Sequence, residues 1–213
     1  MNQAIDPGEK GNNREPGRQE AKSTAARNKI CSAVVECLVR DGYAETSINR
    51  VVEQAGVSKG ALQHHFPSKE DLMAGTALHL LDNASLLQTR NLSRPGESRS
   101  VEKELLRTWY RGTNTPEFSA LLEILIRMRT DQALRLRLSA ALNAWHDKIM
   151  VSNHRMYRTR SGREEEVELL LDLNACVIRG LVIQAQYTSD PAYLEQLMQY
   201  WVSIAAPMLE PRG

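Results

Sequence analysis

Residues Thr46–Leu72, TSINRVVEQAGVSKGALQHHFPSKEDL, decide how the chain folds. Ile48, Val51, Val52 and Ala55 recur at i, i+3, i+4 and i+7, which places them on one stripe of a short helix with Thr46 as its predicted cap. The helix should stop at Ala55-Gly56-Val57, because a glycine lets the chain leave a helix at positive φ without a Cβ clash. Ser58 then offers a side-chain oxygen to the free N–H groups of a second helix, SKGALQHHF, a cap worth about 1 kcal/mol. Two short helices joined by a tight glycine turn make a helix-turn-helix.

At about 100° per residue, Leu62 and Phe66 fall on one side of the second helix and Gly60, Ala61, Gln63 and His64 on the other. The outer face is small near its start and polar later. Such a face enters a major groove and turns amide and imidazole groups toward base edges. Lys59 adds a phosphate-seeking charge beside the helix N-terminus. The adjacent His64 and His65 point to different faces of a helix and have no carboxylate at i+4, so they read as phosphate or base contacts rather than metal ligands.

Upstream, Ala26, Ile30, Val34, Cys37 and Leu38 mark an apolar face on a helix over 24–40, ended by Asp41-Gly42-Tyr43. This helix packs across the motif as a third member, since two helices so short cannot bury enough to stand alone. Residues 1–22 are rich in Gly, Pro, Asn and charge and predict a disordered arm. Downstream, Ser68 caps a long helix whose apolar positions run from Leu72 to Leu87 and link the small unit to the remainder. Residues 91–100, NLSRPGESRS, read as a loop. Beyond it, helices are predicted over 101–111, 116–130, 132–157, 163–187 and 191–209, with no strand and no internal repeat. The expected organisation is an arm (1–22), a helix-turn-helix domain (23–83) and a helical C-terminal domain (84–213), all-α throughout.

The last two helices differ from the rest in bulk and pattern. Val167, Leu170, Leu171, Asn174, Val177, Ile178, Leu181, Val182 and Ala185 form one band, matched by Leu194, Leu197, Met198, Trp201, Ile204, Ala205 and Met208. A single intramolecular core uses part of this, and Gly180 permits close approach of a second backbone, so two helices from each of two chains can build a four-helix interface. A homodimer also gives paired recognition helices the spacing of about one DNA turn that a palindrome requires.

Composition limits the alternatives. The 213 residues are 42% hydrophobic, which suffices for an ordinary core. No apolar run approaches the roughly 18 residues of a membrane helix and the N-terminus lacks a signal-peptide core, so a cytoplasmic protein is expected. Cys31, Cys37 and Cys176 have no metal-ligand spacing. The net charge is only +1, so DNA affinity must come from a few placed cations, helix N-termini and dimerisation rather than a bulk field. His146 and Asp147 diverge on a helix and no nucleophile is spaced to join them. No enzyme, metal site or cofactor is expected. Arg155, Arg158, Arg160 and Arg163 are followed at once by Glu164, Glu165 and Glu166, which reads as a self-compensating loop. Trp109, Tyr110, Phe118, Met128, Trp145 and Met150 are candidates either for lining an apolar ligand cavity or for ordinary core.

From Thr24 to Leu81, and most densely in SKGALQHHFPSKEDL, the chain resembles the TetR family of transcriptional regulators. That resemblance implies an all-helical fold and a three-helix DNA-binding domain. It further implies a C-terminal domain that dimerises and binds a small molecule, and repression of an operator relieved by that ligand. It implies DNA contacts at Ser47, Ser58, Lys59, Gly60, Ala61, His64, His65 and Lys69. One position departs from the family pattern: Gln63 stands where the family most often has Tyr. A Tyr there packs on the sugar-phosphate backbone, whereas Gln can make two hydrogen bonds to adenine, so an altered operator preference is the expected consequence. The rival reading is a helical small-molecule-binding or interaction protein that has lost DNA recognition.

Overall fold

A computed structural model describes residues 16–92 and 100–212 of the chain. Four helices carry the N-terminal half: α1 (Pro16–Glu45), α2 (Ile48–Ala55), α3 (Lys59–His65) and α4 (Lys69–Leu92). They are followed by α5 (Val101–Thr108), which runs into a π-helical turn (Trp109–Thr113), then α6 (Pro116–Arg127) and α7 (Gln132–Met156). Last come α8 (Glu165–Gln184) and α9 (Pro191–Ala205), the latter ending in a short 3-10 turn (Ala206–Met208). The starts follow local chemistry: Thr115, Asp131 and Asp190 accept from the backbone N–H groups of Phe118, Leu134 and Ala192 at 3.3, 2.9 and 3.0 Å. Pro116 and Pro191 occupy first helical positions, where no N–H is missed.

Three expectations about elements need correction. Residues 16–22, assigned to a disordered arm, begin α1: Pro16 presets the helical φ and the Gln, Glu, Ala and Lys that follow are strong helix formers. Residues 1–15 of that arm lie outside the described residues. Asn91 and Leu92, assigned to a loop, extend α4, and the rest of that loop to residue 99 lies outside the described residues. Two short strands also exist, β1 (Tyr157–Thr159) and β2 (Leu209–Pro211), paired antiparallel with Arg158 opposite Glu210. Three residues are too few to show alternation. The pairing is set by where the end of the chain returns past α7, and is held by Arg158 Nη2 at 3.0 Å from the Glu210 carboxylate.

Two apolar cores result. The first joins Ile30, Val34 and Leu38 of α1, Val51, Leu62 and Phe66 of the motif, and Leu72, Met73, Ala77 and Leu81 of α4. It does not stop at residue 83: Ala120, Leu121 and Ile124 of α6 and Leu134 and Leu138 of α7 belong to it. The second gathers Val101, Leu105, Trp109, Leu122, Val167, Ile178, Leu181, Met198 and Val202. Helix α6 therefore contributes to both. Between α4 and α7, Arg137 Nε donates to Asp71 at 2.6 Å and the Trp145 indole N–H to the Leu81 carbonyl at 3.3 Å. Between α8 and α9, the Trp201 indole N–H donates to Asn174 Oδ1 at 2.9 Å, which satisfies a buried amide.

Most of the apolar band expected to be shared between chains turns inward, including Val167, Leu170, Ile178, Leu181 and Val182. The opposite face of α8 and the outer face of α9 stay bare. Leu169, Leu173, Ile183, Tyr187, Tyr193, Tyr200, Ile204 and Met208 are all exposed. Among the described residues no helix is long and apolar enough to cross a membrane.

Candidate nucleic-acid interface

The two motif helices are set by caps and by one glycine. Ser47, not Thr46, caps α2, its hydroxyl accepting from Arg50 N–H at 3.3 Å. Thr46 is buried because its own hydroxyl and N–H both donate to the Gly42 carbonyl, at 2.8 and 3.1 Å, fastening α2 to the end of α1. Gly42, at φ 76°, is where regular α1 geometry breaks. Gly56 at φ 58° closes α2, and its N–H and that of Val57 return to the carbonyls of Glu53 and Val52 at 3.2 and 3.3 Å. Ser58 caps α3 by accepting from Ala61 N–H at 3.1 Å.

Helix α3 is anchored from below and bare above. Leu62 and Phe66 are buried, while Lys59, Gly60, Ala61, Gln63 and His64 are exposed and His65 half-buried. The His64 and His65 rings meet edge to face at 5.2 Å. Phe66 lies against α4, where Gly75 makes room: a Cβ on Gly75 would stand 2.3 Å from Phe66 Cε1. A helix of seven residues cannot hold its own orientation, so the Phe66–Gly75 contact fixes its angle.

Ser47, Ser58, Lys59, Gly60, Ala61, Gln63, His64 and His65 thus sit at the caps and on the outer side of the motif. Lys69 does not join them as a free cation. Its Nζ donates to the carbonyl of Tyr43 at 3.0 Å, reaches that of Ala44 at 3.5 Å and lies 4.8 Å from the centre of the Tyr43 ring. Burial, then the nearby Arg127 charge, push its pKa down. Lys69 is a brace between α4 and the end of α1, with partners about 25 residues away that no local pattern announces. Tyr43 is gripped from the other side by α6. The Arg127 guanidinium lies 5.5 Å from its ring and the Glu123 carboxylate accepts its backbone N–H. One Glu123 oxygen is buried with no hydrogen-bond partner among the described residues, and burial raises that carboxyl above its ordinary value.

Two cations that the sequence alone left unremarked flank the motif. Arg27 of α1 is exposed and its guanidinium lies 5.2 Å from the Phe66 ring. Lys29 Nζ stands 3.9 Å from where a Cβ on Gly56 would be. Both lie on the polar side of α1, and only the folded chain brings them to the motif. The candidate ligand residues are dispersed instead of convergent. Trp109 and Phe118 belong to the second core, Met128 and Trp145 pack on the first, Met150 is buried and Tyr110 is exposed with its hydroxyl on Glu195. In the arginine-rich segment Arg163 pairs with the neighbouring Glu166 as expected, whereas Arg158, in β1, and Arg160 pair with Glu210 of β2 and not with the adjacent glutamates. Among the described residues no group of His, Cys, Asp and Glu is arranged to hold a metal ion.

An all-α chain that presents a rigidly seated, outward-facing second helix of a helix-turn-helix is of the DNA-binding regulator class. Residues 30–75 match the family model described as bacterial regulatory proteins, tetR family. An HTH-type transcriptional regulator of Mycobacterium tuberculosis is 27% identical over 179 residues, covering 84% of this chain and 91% of that protein. The HTH-type transcriptional regulator CymR of Pseudomonas putida is 25% identical over 189 residues, covering 88% of this chain and 92% of that one. A protein from Saccharomonospora viridis, described as a transcriptional regulator and solved in complex with choline, superposes with a TM-score of 0.64 at 20% identity over 88% of this chain and 99% of its own. The family match spans the end of α1, α2, α3 and the start of α4, so the likeness to the tetR family lies in the helix-turn-helix and the helices that seat it.

Proposed function

We propose that the protein is a homodimeric repressor that reads a palindromic operator with α3 and lets go when a small molecule binds its C-terminal part, residues 84–213. The observation that carries this reading is the seating of α3: Leu62 and Phe66 fix it from beneath and leave Lys59, Gly60, Ala61, Gln63 and His64 facing out. In a major groove the small Gly60 and Ala61 allow close approach. Ser47, Ser58, Lys59, His64 and His65 contact phosphate or base, and Gln63 pairs with adenine. Lys69 acts behind this face by holding the α1–α2 corner. Arg27 and Lys29 add local positive charge, which a chain of net charge +1 needs.

The exposed apolar faces of α8 and α9 favour a dimer, which would set two α3 helices at a fixed separation. Helix α6 belongs to both cores and grips Tyr43, and α4 is tied to α7. A ligand that favours one arrangement of α6 and α7 would therefore change that separation. A coupling of about 1–3 kcal/mol changes operator affinity 5- to 150-fold. The choline held by the Saccharomonospora viridis protein supports a small organic effector without identifying it.

Gel-shift titration against the DNA upstream of the protein's own reading frame tests the proposal. A sequence-selective, salt-sensitive shift is expected. Lys59→Ala should weaken binding to all sequences alike, and Gln63→Ala should alter preference among them. Absence of any selective shift would overturn the regulator reading, and a Gln63→Ala effect on overall affinity alone would remove base reading by Gln63.

A further inference from the structure

The bare face of α8 is built to pair with itself. Leu169, Leu173, Cys176, Gly180 and Ile183 are exposed and follow one another at alternating steps of four and three residues, the spacing of a seam between two helices. Position numbers on this seam are symmetric about Cys176. Leu169 and Ile183 lie seven residues to either side of it, and Leu173 and Gly180 lie three and four residues away. On an antiparallel copy, Leu169 faces Ile183, and Leu173 faces the open space over Gly180, where a Cβ would meet nothing within 4 Å. The charges obey the same symmetry. Asp172 and Arg179 flank the seam on the same side, about 6 and 4.5 Å along the axis from Cys176 in opposite directions. A two-fold axis across the seam keeps each flank on its own side, so Asp172 of one copy meets Arg179 of the other, twice. Among the described residues these groups have only loose neighbours within the chain: Asp172 lies 4.0 Å from His146 Nδ1, and Arg179 Nη1 lies 4.0 Å from Cys176 Sγ.

We propose that α8 pairs antiparallel with α8 of a second copy of this chain, with the two-fold axis at Cys176 and reciprocal Asp172–Arg179 ion pairs fixing the register. The inference rests on the homodimer reading and deepens it by naming the partner surface residue by residue. Apolar contact along the seam supplies affinity, and the two ion pairs reject helices that carry a different charge order. Register matters because sliding α8 by one turn, about 5.4 Å, would shift the paired recognition helices by a comparable distance relative to successive grooves.

Two measurements on the full chain separate this register from dimerisation itself. Sedimentation velocity reports the oligomeric state. A short thiol-to-thiol cross-linker reports the register, because Cys31 and Cys37 are buried and Cys176 is exposed. The wild type should cross-link to a dimer and Cys176→Ser should not. In the Cys176→Ser background, Leu169→Cys mixed with Ile183→Cys should cross-link, while Leu169→Cys alone should not, its two thiols lying about 21 Å apart along the seam. Asp172→Arg or Arg179→Asp should each raise the dimer dissociation constant roughly tenfold, and the double reversal should restore it. A monomer at every concentration would sink the dimer reading and this inference together. A dimer that neither cross-links through Cys176 nor regains affinity in the double reversal would leave the dimer standing and overturn the register.

Discussion

Replacing Gly75 with Ala puts two calculable effects in opposition. In a helix interior Ala is favoured over Gly by about 1 kcal/mol, so on propensity alone Gly75→Ala should stabilise the protein. The added Cβ, however, would stand 2.3 Å from Phe66 Cε1 and 3.1 Å from Cδ1, and Phe66 is 2% exposed. The ring cannot swing into solvent without emptying its place in the first core. Forcing an extra methyl into such a core costs about 1–3 kcal/mol. The net is a destabilisation of about 0–2 kcal/mol, and each kcal/mol lowers the melting temperature of a chain this size by about 2–4 °C. The sign turns on the ring. In a Phe66→Leu background the overlap is relieved, and the same Gly75→Ala change should stabilise by up to about 1 kcal/mol. The double-mutant cycle, measured by urea unfolding at one fixed protein concentration, should then show a coupling above about 1 kcal/mol. Because Phe66 N–H closes α3 on the Leu62 carbonyl at 2.8 Å, displacing it also tilts the recognition helix. Operator affinity in fluorescence anisotropy should fall about tenfold or more, beyond any loss of folded protein. A Gly75→Ala protein that is more stable than wild type, with no coupling to Phe66, would refute the close-packing argument.

Two further outcomes follow from the junction around Tyr43. Burial raises the Glu123 carboxyl, so its ionised form is the costly one: the stability associated with its neutral form is present below the ordinary carboxylate range and is lost as pH rises through its folded value. Glu123→Gln should therefore raise the melting temperature at pH 7.5 and change it little near pH 4, and an equal gain at both would refute the assignment. Lys69→Ala should lower the melting temperature while leaving the salt dependence of operator binding unchanged, because its Nζ is held by the Tyr43 and Ala44 carbonyls. Lys59→Ala should do the reverse, reducing the slope of log affinity against log salt by about one. A reduced slope for Lys69→Ala would return that residue to the DNA face.

What the sequence made legible was what local chemistry decides. The stops at Gly42 and Gly56, the cap at Ser58, and the proline starts at Pro116 and Pro191 each depend on residues within a turn of one another, and the structure has them as read. The failures share a different cause. Thr46 and Ser47 both have capping hydroxyls, and the choice fell to Ser47 because the Gly42 carbonyl took Thr46. The bracing role of Lys69 was hidden likewise, because Tyr43 and Ala44, far off in sequence, come beside it only in the fold. The face of α8 was the least legible, because Leu169 and Leu173 on one side are as apolar as Leu170 and Ile178 on the other. Periodicity finds an apolar stripe but cannot say which of two stripes meets the chain's own core. The aromatic and Met residues of the C-terminal half had the same defect: their type says buried, and only packing divides Trp109 from Trp145 between two cores.

That division of cores explains how a nearly neutral protein can be a switchable DNA reader. A separate, freely hinged reading head would transmit little, since its docking would not depend on the rest of the chain. Here the first core takes Ala120, Leu121 and Ile124 from α6, while the adjacent Leu122 enters the second, so α6 cannot turn about its axis without disturbing both. Its Glu123 and Arg127 hold Tyr43, and Gly42, one residue earlier, holds Thr46 at the threshold of α2. The path from α6 to the motif therefore runs through five residues, Glu123 and Arg127 on α6, then Tyr43 and its covalent neighbour Gly42, then Thr46. Under the proposed mechanism a ligand need only favour one setting of α6. With few cations to hold the DNA, the loss of register in one of two recognition helices is then a large fraction of the whole affinity.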